Sequence, residues 1–168
     1  MPEPTKSASK SNASAKQPDA VQLLTAEHSE VKALFKEYQK LVDGEKSDDE
    51  KETLARQICF MLTVHATTEE EILYPAARDE LDEQDLLDEA EVEHGSAKEL
   101  IAQIEAGTPD EALYDARVKV LGEYVEHHVK EEEGELFPKL KKAKVDLVEL
   151  GGRIAARKEQ LMPEMAAK

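Results

Sequence analysis

One pattern is written twice in this chain. Glu27-His28 is followed by His65, Glu69-Glu70 and Leu73-Tyr74-Pro75; Glu93-His94 is followed by His128, Glu132-Glu133 and Leu136-Phe137-Pro138. From each second histidine onward, the offsets agree position for position. Residues four apart on an α-helix emerge on one face with Cβ atoms about 5–6 Å apart. His65 with Glu69, and His128 with Glu132, therefore present an imidazole and a carboxylate to the same side. A fold that accommodates this pattern brings four helices together around a shared polar layer.

The periodicity supplies those helices. The first stretch carries Leu24, His28, Val31, Phe35, Tyr38 and Val42 in alternating steps of four and three, with Asp19 placed to cap it. The polar run from Asp43-Gly44 to Asp49 ends it. The second carries Leu54, Ile58, Met61 or Leu62, His65, Glu69 and Ile72, and Pro75 is expected to kink it or close it near Tyr74. The third carries Leu87, Ala90, His94, Ala97, Ile101 and Ile104 up to Gly107. Thr108-Pro109 should open the fourth, as cap and first helical residue, with a stripe through Arg117, Leu121, Tyr124, His128, Glu132 and Leu136. No segment has a strand's alternation with hairpin turns. The expected fold is all-α: an up-down-up-down four-helix bundle over residues 19–145 with short connections. A shorter helix over 146–168 packs across it, weakened at Gly151-Gly152. Residues 1–18, rich in Ser, Ala and Lys, should form a disordered tail.

Composition narrows the function. With 22 Lys and Arg against 38 Asp and Glu, the formal charge of −16 argues against nucleic acid or an anionic membrane as partner. The longest wholly apolar run, Ile58 to Leu62, is far too short to span a bilayer. A single cysteine, Cys59, has no internal partner for a disulfide, which points to a reducing compartment, the cytoplasm. It lies off the ligand face and reads as a small buried hydrophobe. No apolar leader segment is evident at the N-terminus.

Each stretch places a histidine where its stripe calls for an apolar residue. His28, His65, His94 and His128, with Glu69 and Glu132, make six inward ligands. Neutral imidazole suits iron, zinc or copper, and a carboxylate can bridge two cations. Without metal, one core would have to bury several imidazoles and two carboxylates, at several kcal/mol for an unpaired charge. Arg117, about three turns from His128, is the only cation on the stripes. Two metals about 3.5–4 Å apart fit the same ligand set and supply that charge. His127 is rotated about 100° off the face. Glu70 and Glu133 are the weaker ligand candidates, Glu71 and Glu131 read as surface charge, and Glu27 and Glu93 either accept ring N–H groups or are solvated.

Through these motifs, residues from about 20 to 145 resemble the hemerythrin family in its wider bacterial form. The resemblance implies a four-helix bundle around a non-haem di-iron centre, two iron ions bridged by an oxo or hydroxo group. It implies reaction with, or binding of, O2, peroxide or nitric oxide, with peroxide dismutation, gas sensing and iron handling all among the activities of bacterial members. The chain departs from the oxygen-carrier pattern beside His94, whose neighbours one turn away are Ala90 and Lys98. One metal should lack a protein nitrogen, the vacancy falling to water or to an oxygen ligand such as Tyr124, for which ordinary core packing is the simpler expectation. Val31, Leu62, Ile101 and Leu121 should keep water from the site. The competing readings are a redox-inactive metal-binding or iron-storage module and a metal-free acidic interaction bundle.

Overall fold

The structure is a computed structural model in which residues 17–166 are described, so the tail expected over 1–18 lies outside the described residues but for its last two. Four long helical rods form the bundle. The first is α1 (Ala20–Asp43). The second is α2 (Asp48–Thr68), which runs through a π-helical turn (Glu69–Leu73) into α3 (Tyr74–Glu80). The third is α4 (Gln84–Ala106). The fourth repeats the second: α5 (Tyr114–Glu131), a π-helical turn (Glu132–Leu136) and α6 (Phe137–Lys142). Then α7 (Leu147–Ala166) packs on α1, α2 and the first π-helical turn. Among the described residues there is no strand.

Local chemistry sets several boundaries. Asp19 caps α1 reciprocally: its carboxylate accepts from Gln22 N–H at 2.9 Å, and its own N–H donates to Gln22 Oε1 at 3.1 Å. The loop after α1 turns at Glu45, whose φ of 49° is left-handed, and Ser47 caps α2. Of the two outcomes expected at Pro75, closure does not occur, since the second rod continues to Glu80. The turn before it widens instead, with Tyr74 N–H bonding back to Glu69 O, five residues away, so the residue without an N–H follows a turn already out of α register. The fourth rod does not open at Thr108-Pro109. Glu111 N–H bonds to Thr108 O and Tyr114 N–H to Glu111 O, two successive turns that delay the helix to Tyr114.

The buried face of α5 runs beside the expected stripe, not along it. Tyr114, Val118 and Leu121 are buried, while Arg117 lies at the rim, paired with Glu111, and Tyr124 is 47 % exposed. Tyr124 is therefore not the core residue expected, although it lines the cavity that the four histidines share. Gly151 has a positive role rather than a weakening one: a Cβ there would lie 2.6 Å from Pro18 O and 2.8 Å from Ala20 N. Its hydrogen lets α7 cross directly over the start of α1.

The apolar interior falls into two blocks. One holds Leu24, Leu73, Leu87, Leu136, Phe137, Leu140 and Ile154; the other holds Val31, Ile58, Cys59, Leu62, Ile104, Tyr114 and Leu121. Each fully buried aliphatic chain contributes about 1.5–3 kcal/mol. Burial pushes the Cys59 thiol up to about 12. Near the far end of the second block, Lys51 and Tyr38 both bond to Asp115, at 3.1 and 2.7 Å, tying α1 and α2 to α5. Glu27, His28, Glu69, His94 and Glu132, all buried, belong to neither block.

Candidate metal centre

The six expected residues meet in one polar layer. Side-chain atoms of His28, His65, Glu69 and Glu132 lie within 4.8 Å of one another, and so do those of Glu69, His94 and His128. Glu69, fully buried, belongs to both groups. Glu132 also reaches both: Oε1 is 3.2 Å from His28 Nε2, and Oε2 is 3.4 Å from His128 Nε2. The first group takes both its histidines from α1 and α2, the second from α4 and α5.

Behind the rings stands a set of glutamates arranged by the same repeat. His65 Nδ1 faces Glu27 at 3.2 Å and His128 Nδ1 faces Glu93 at 3.2 Å. His28 Nδ1 faces Glu133 at 3.1 Å, and His94 Nδ1 faces Glu70 at 3.4 Å, where neither atom makes a hydrogen bond. Thus Glu27 and Glu93 both face ring nitrogens, Glu27 buried and Glu93 partly exposed, and Glu70 and Glu133 back the rings of opposite helices. An Nδ1–H donated to a carboxylate leaves the Nε2 lone pair free and fixes the ring's direction. His127, 68 % exposed, pairs outside the layer with Glu131 and Glu93.

The donor set fits cations. His28 Nε2 and His65 Nε2 are 3.2 Å apart, and His94 Nε2 and His128 Nε2 are 3.1 Å apart. Bonds of about 2.1 Å meeting at right angles to one ion would separate neighbouring donors by about 3.0 Å. Glu69 Oε1 stands against His65 Nε2 and Glu132 Oε1 against His28 Nε2. Yet neither these oxygens nor Glu69 Oε2 makes a hydrogen bond, so the buried carboxylates have only imidazoles to balance them unless further positive charge arrives. Arg117 does not provide it; the nearby cations are Lys98 and Lys158, on Glu70 and Glu27.

A seventh residue joins them. Buried Tyr74 places Oη 3.1 Å from His94 Nε2 and 3.2 Å from His128 Nε2, and donates to Glu132 Oε2 at 2.7 Å. The phenol oxygen nearest His94 and His128 thus belongs to Tyr74. The repeat is broken at this point: Phe137, the counterpart of Tyr74, stacks parallel on His28 at 6.0 Å. Regular helical counting from Glu69 points to Ile72 or Leu73; the widened turn carries the inward position to Tyr74. Pro75 was the available signal.

Protons compensate the layer when cations are lacking. Burial alone would lower His65 and His128, but Glu69 with Glu27 raises His65 well above its usual range, and Glu132 raises His128 to about 9. Burial would raise Glu132; contacts with Glu69, His128 and His28 hold it well below the carboxylate range. Desolvation lowers His94. Because the folded pKa of His128 is raised, its stabilisation is complete below about pH 6.5 and lost as pH rises through about 9. Thermal unfolding of chelator-treated protein should therefore show a loss of about 3 kcal/mol between pH 6.5 and 9.5. A flat profile would contradict this proton compensation.

Above the histidines lies a cavity of about 50 Å³, lined by apolar groups of Val31, Leu62, Ala66, Ala97, Ile101 and Val125 and by all four rings. Leu121 does not line it but is wholly buried in the adjoining block.

Residues 19–140 match the family model described as the hemerythrin HHE cation binding domain. A DNA nickase of Nostoc sp. is 36 % identical over 118 residues, covering 68 % of this chain and 31 % of the nickase. The chain thus spans about a third of that relative's length. In fold, it is similar to the crystal structure of a hemerythrin HHE cation binding domain-containing protein from Mycobacterium kansasii, with a TM-score of 0.70 and 24 % identity over 85 % of this chain and 86 % of that one. No helix among the described residues is long and apolar enough to cross a membrane.

Proposed function

The chain belongs to the hemerythrin HHE cation-binding domain family, and from that premise we propose that its polar layer holds two iron ions that meet O2, peroxide or nitric oxide. The observation that carries this reading is the convergence of four Nε2 atoms on Glu69 and Glu132, each carboxylate reaching both pairs of histidines. One ion would take His28 and His65, the other His94, His128 and Tyr74, with Glu69 and Glu132 between them. Bound iron supplies one-electron redox chemistry toward small molecules.

The chain's own groups prepare the site for that chemistry. Glu27, Glu93 and Glu133 hold Nδ1 protons and so aim the rings inward. Tyr74 holds its proton at Oη, shared toward Glu132. The cavity walls are largely apolar around the four imidazoles and suit a diatomic or peroxide-sized guest better than a charged polymer. With a charge of −16 the domain is read as acting on such a guest rather than on nucleic acid, whatever the remainder of the longer nickase contributes there. The metal-binding unit is taken as residues 19–145, with α7 (Leu147–Ala166) an accessory helix. A reducing, cytoplasmic setting suits the single thiol.

Protein reconstituted with ferrous iron in air should contain about two irons per chain and show near-ultraviolet absorption of a bridged ferric pair. Colourless protein holding zinc or no metal would sink the reading. Oxygen evolution from added peroxide, measured beside His128→Ala, then separates turnover from carriage; equal rates in both would reject this site.

A further inference from the structure

The repeat that builds the centre leaves its two halves supported differently. Glu27 and Glu93 are counterparts, each bonded to the Nδ1 of a histidine. The outer oxygen of Glu93 faces exposed His127, at 3.5 Å. The outer oxygen of Glu27 instead receives Lys158 Nζ at 2.9 Å, from a helix that lies outside the repeat. Glu27 is 7 % exposed, whereas Glu93 is only partly buried.

We infer that Lys158 is a positioning residue for one of the two ions: it holds Glu27 against His65 and thereby sets the affinity of the His28–His65 position. The inference rests on the reading of the layer as a two-ion centre. A buried carboxylate with one oxygen on an imidazole N–H needs a partner for the other, or it swings toward solvent and releases the ring. Lys158 supplies that partner by reaching down from α7 while its own stem stays partly exposed. Its role is separable from docking the helix. Leu150, Ile154 and Leu161 are buried, Gly151 makes the close crossing, and Arg157 grips Glu71 through two bonds of 2.7 and 3.2 Å. Support of this kind around a ligating histidine is worth about 10–100-fold in metal affinity.

The test is a titration of chelator-treated protein with cobalt(II), followed by its visible absorption and by competition with a chelator of known affinity. Cobalt reports each ion's binding without any redox turnover. Wild type should take up about two ions per chain; failure at this step would overturn the two-ion reading and the inference with it. In Lys158→Met, one ion should bind about 10–100-fold more weakly while the other keeps its wild-type affinity. Lys158→Arg should restore the weakened step, because a guanidinium can reach the same oxygen. Arg157→Met removes the two bonds to Glu71 and should leave both affinities within about threefold of wild type. Two unchanged steps in Lys158→Met, an equal loss at both, or no rescue by arginine would each overturn the assignment.

Discussion

Glu69→Leu should abolish binding at both metal positions and at the same time make the metal-free protein more stable. The carboxylate is fully buried, stands in both ligand groups, and has neither oxygen hydrogen-bonded. If the layer holds two ions as proposed, removing it would take a donor from each, so affinity should fall by well over about 100-fold at both positions. Loss of His94 alone should weaken chiefly the ion it shares with His128. In the metal-free state the balance reverses. Leucine puts an apolar group of broadly similar size in its place. Losing a buried ion pair in this way is neutral or stabilising by about 1–4 kcal/mol provided that the partner gives up its charge too, as His65 can by shedding its proton. Some of that gain is offset, because Glu69 helps raise His65. The measurements are competitive metal titration and thermal unfolding in chelator near pH 7. A lower unfolding temperature for metal-free Glu69→Leu would mean that the carboxylate serves the fold rather than the ions.

The second large effect is expected at Gly151→Ala. The added methyl would lie 2.6 to 2.8 Å from the backbone of Pro18, Asp19 and Ala20, and backbone cannot move aside as a flexible side chain can. Either α7 lifts or the cap of α1 is displaced. The first loses burial of Leu150 and Ile154, and the second disturbs the Asp19–Gln22 box. Overpacking of this kind costs about 1–3 kcal/mol, far outweighing alanine's better helix propensity. At Gly152, where the nearest atom to an added methyl is 3.8 Å away, the same substitution should be neutral or slightly stabilising. Denaturant unfolding of the pair gives a direct comparison, and similar midpoints would refute the close-crossing account.

Much of this architecture is legible along the chain because its determinants are local or periodic. Asp19 can be read as a cap from its place before an apolar stripe. His28, His65, His94 and His128 converge because each replaces an apolar residue on its helix's inner face. What escapes periodic reading depends on a change of period or on contacts distant in sequence. Tyr74 enters the layer only because a π-helical turn shifts it inward, and a stripe counted in steps of three and four runs past it. Tyr124 fits a stripe counted from Arg117, but the buried series runs through Tyr114, Val118 and Leu121 and leaves Tyr124 at its edge, 47 % exposed. Lys158 reaches Glu27 across 131 positions from another helix, a pairing that no local pattern announces. The backing roles of Glu70 and Glu133 escape for the same reason, since each serves a histidine on a different rod.

Cys59 carries a separate consequence. Its sulfur is shielded by the second apolar block and holds its proton up to about pH 12, so the reactive thiolate is scarce while the bundle stays closed. Oxidant reaching the polar layer should leave this sulfur unmodified, sparing the chain a lesion and a route to covalent dimers. The same shielding makes the thiol a clock. Its rate of alkylation by a maleimide counts the openings of the bundle core, and comparing that rate with and without bound ions would time how long the ions hold the two helical hairpins shut.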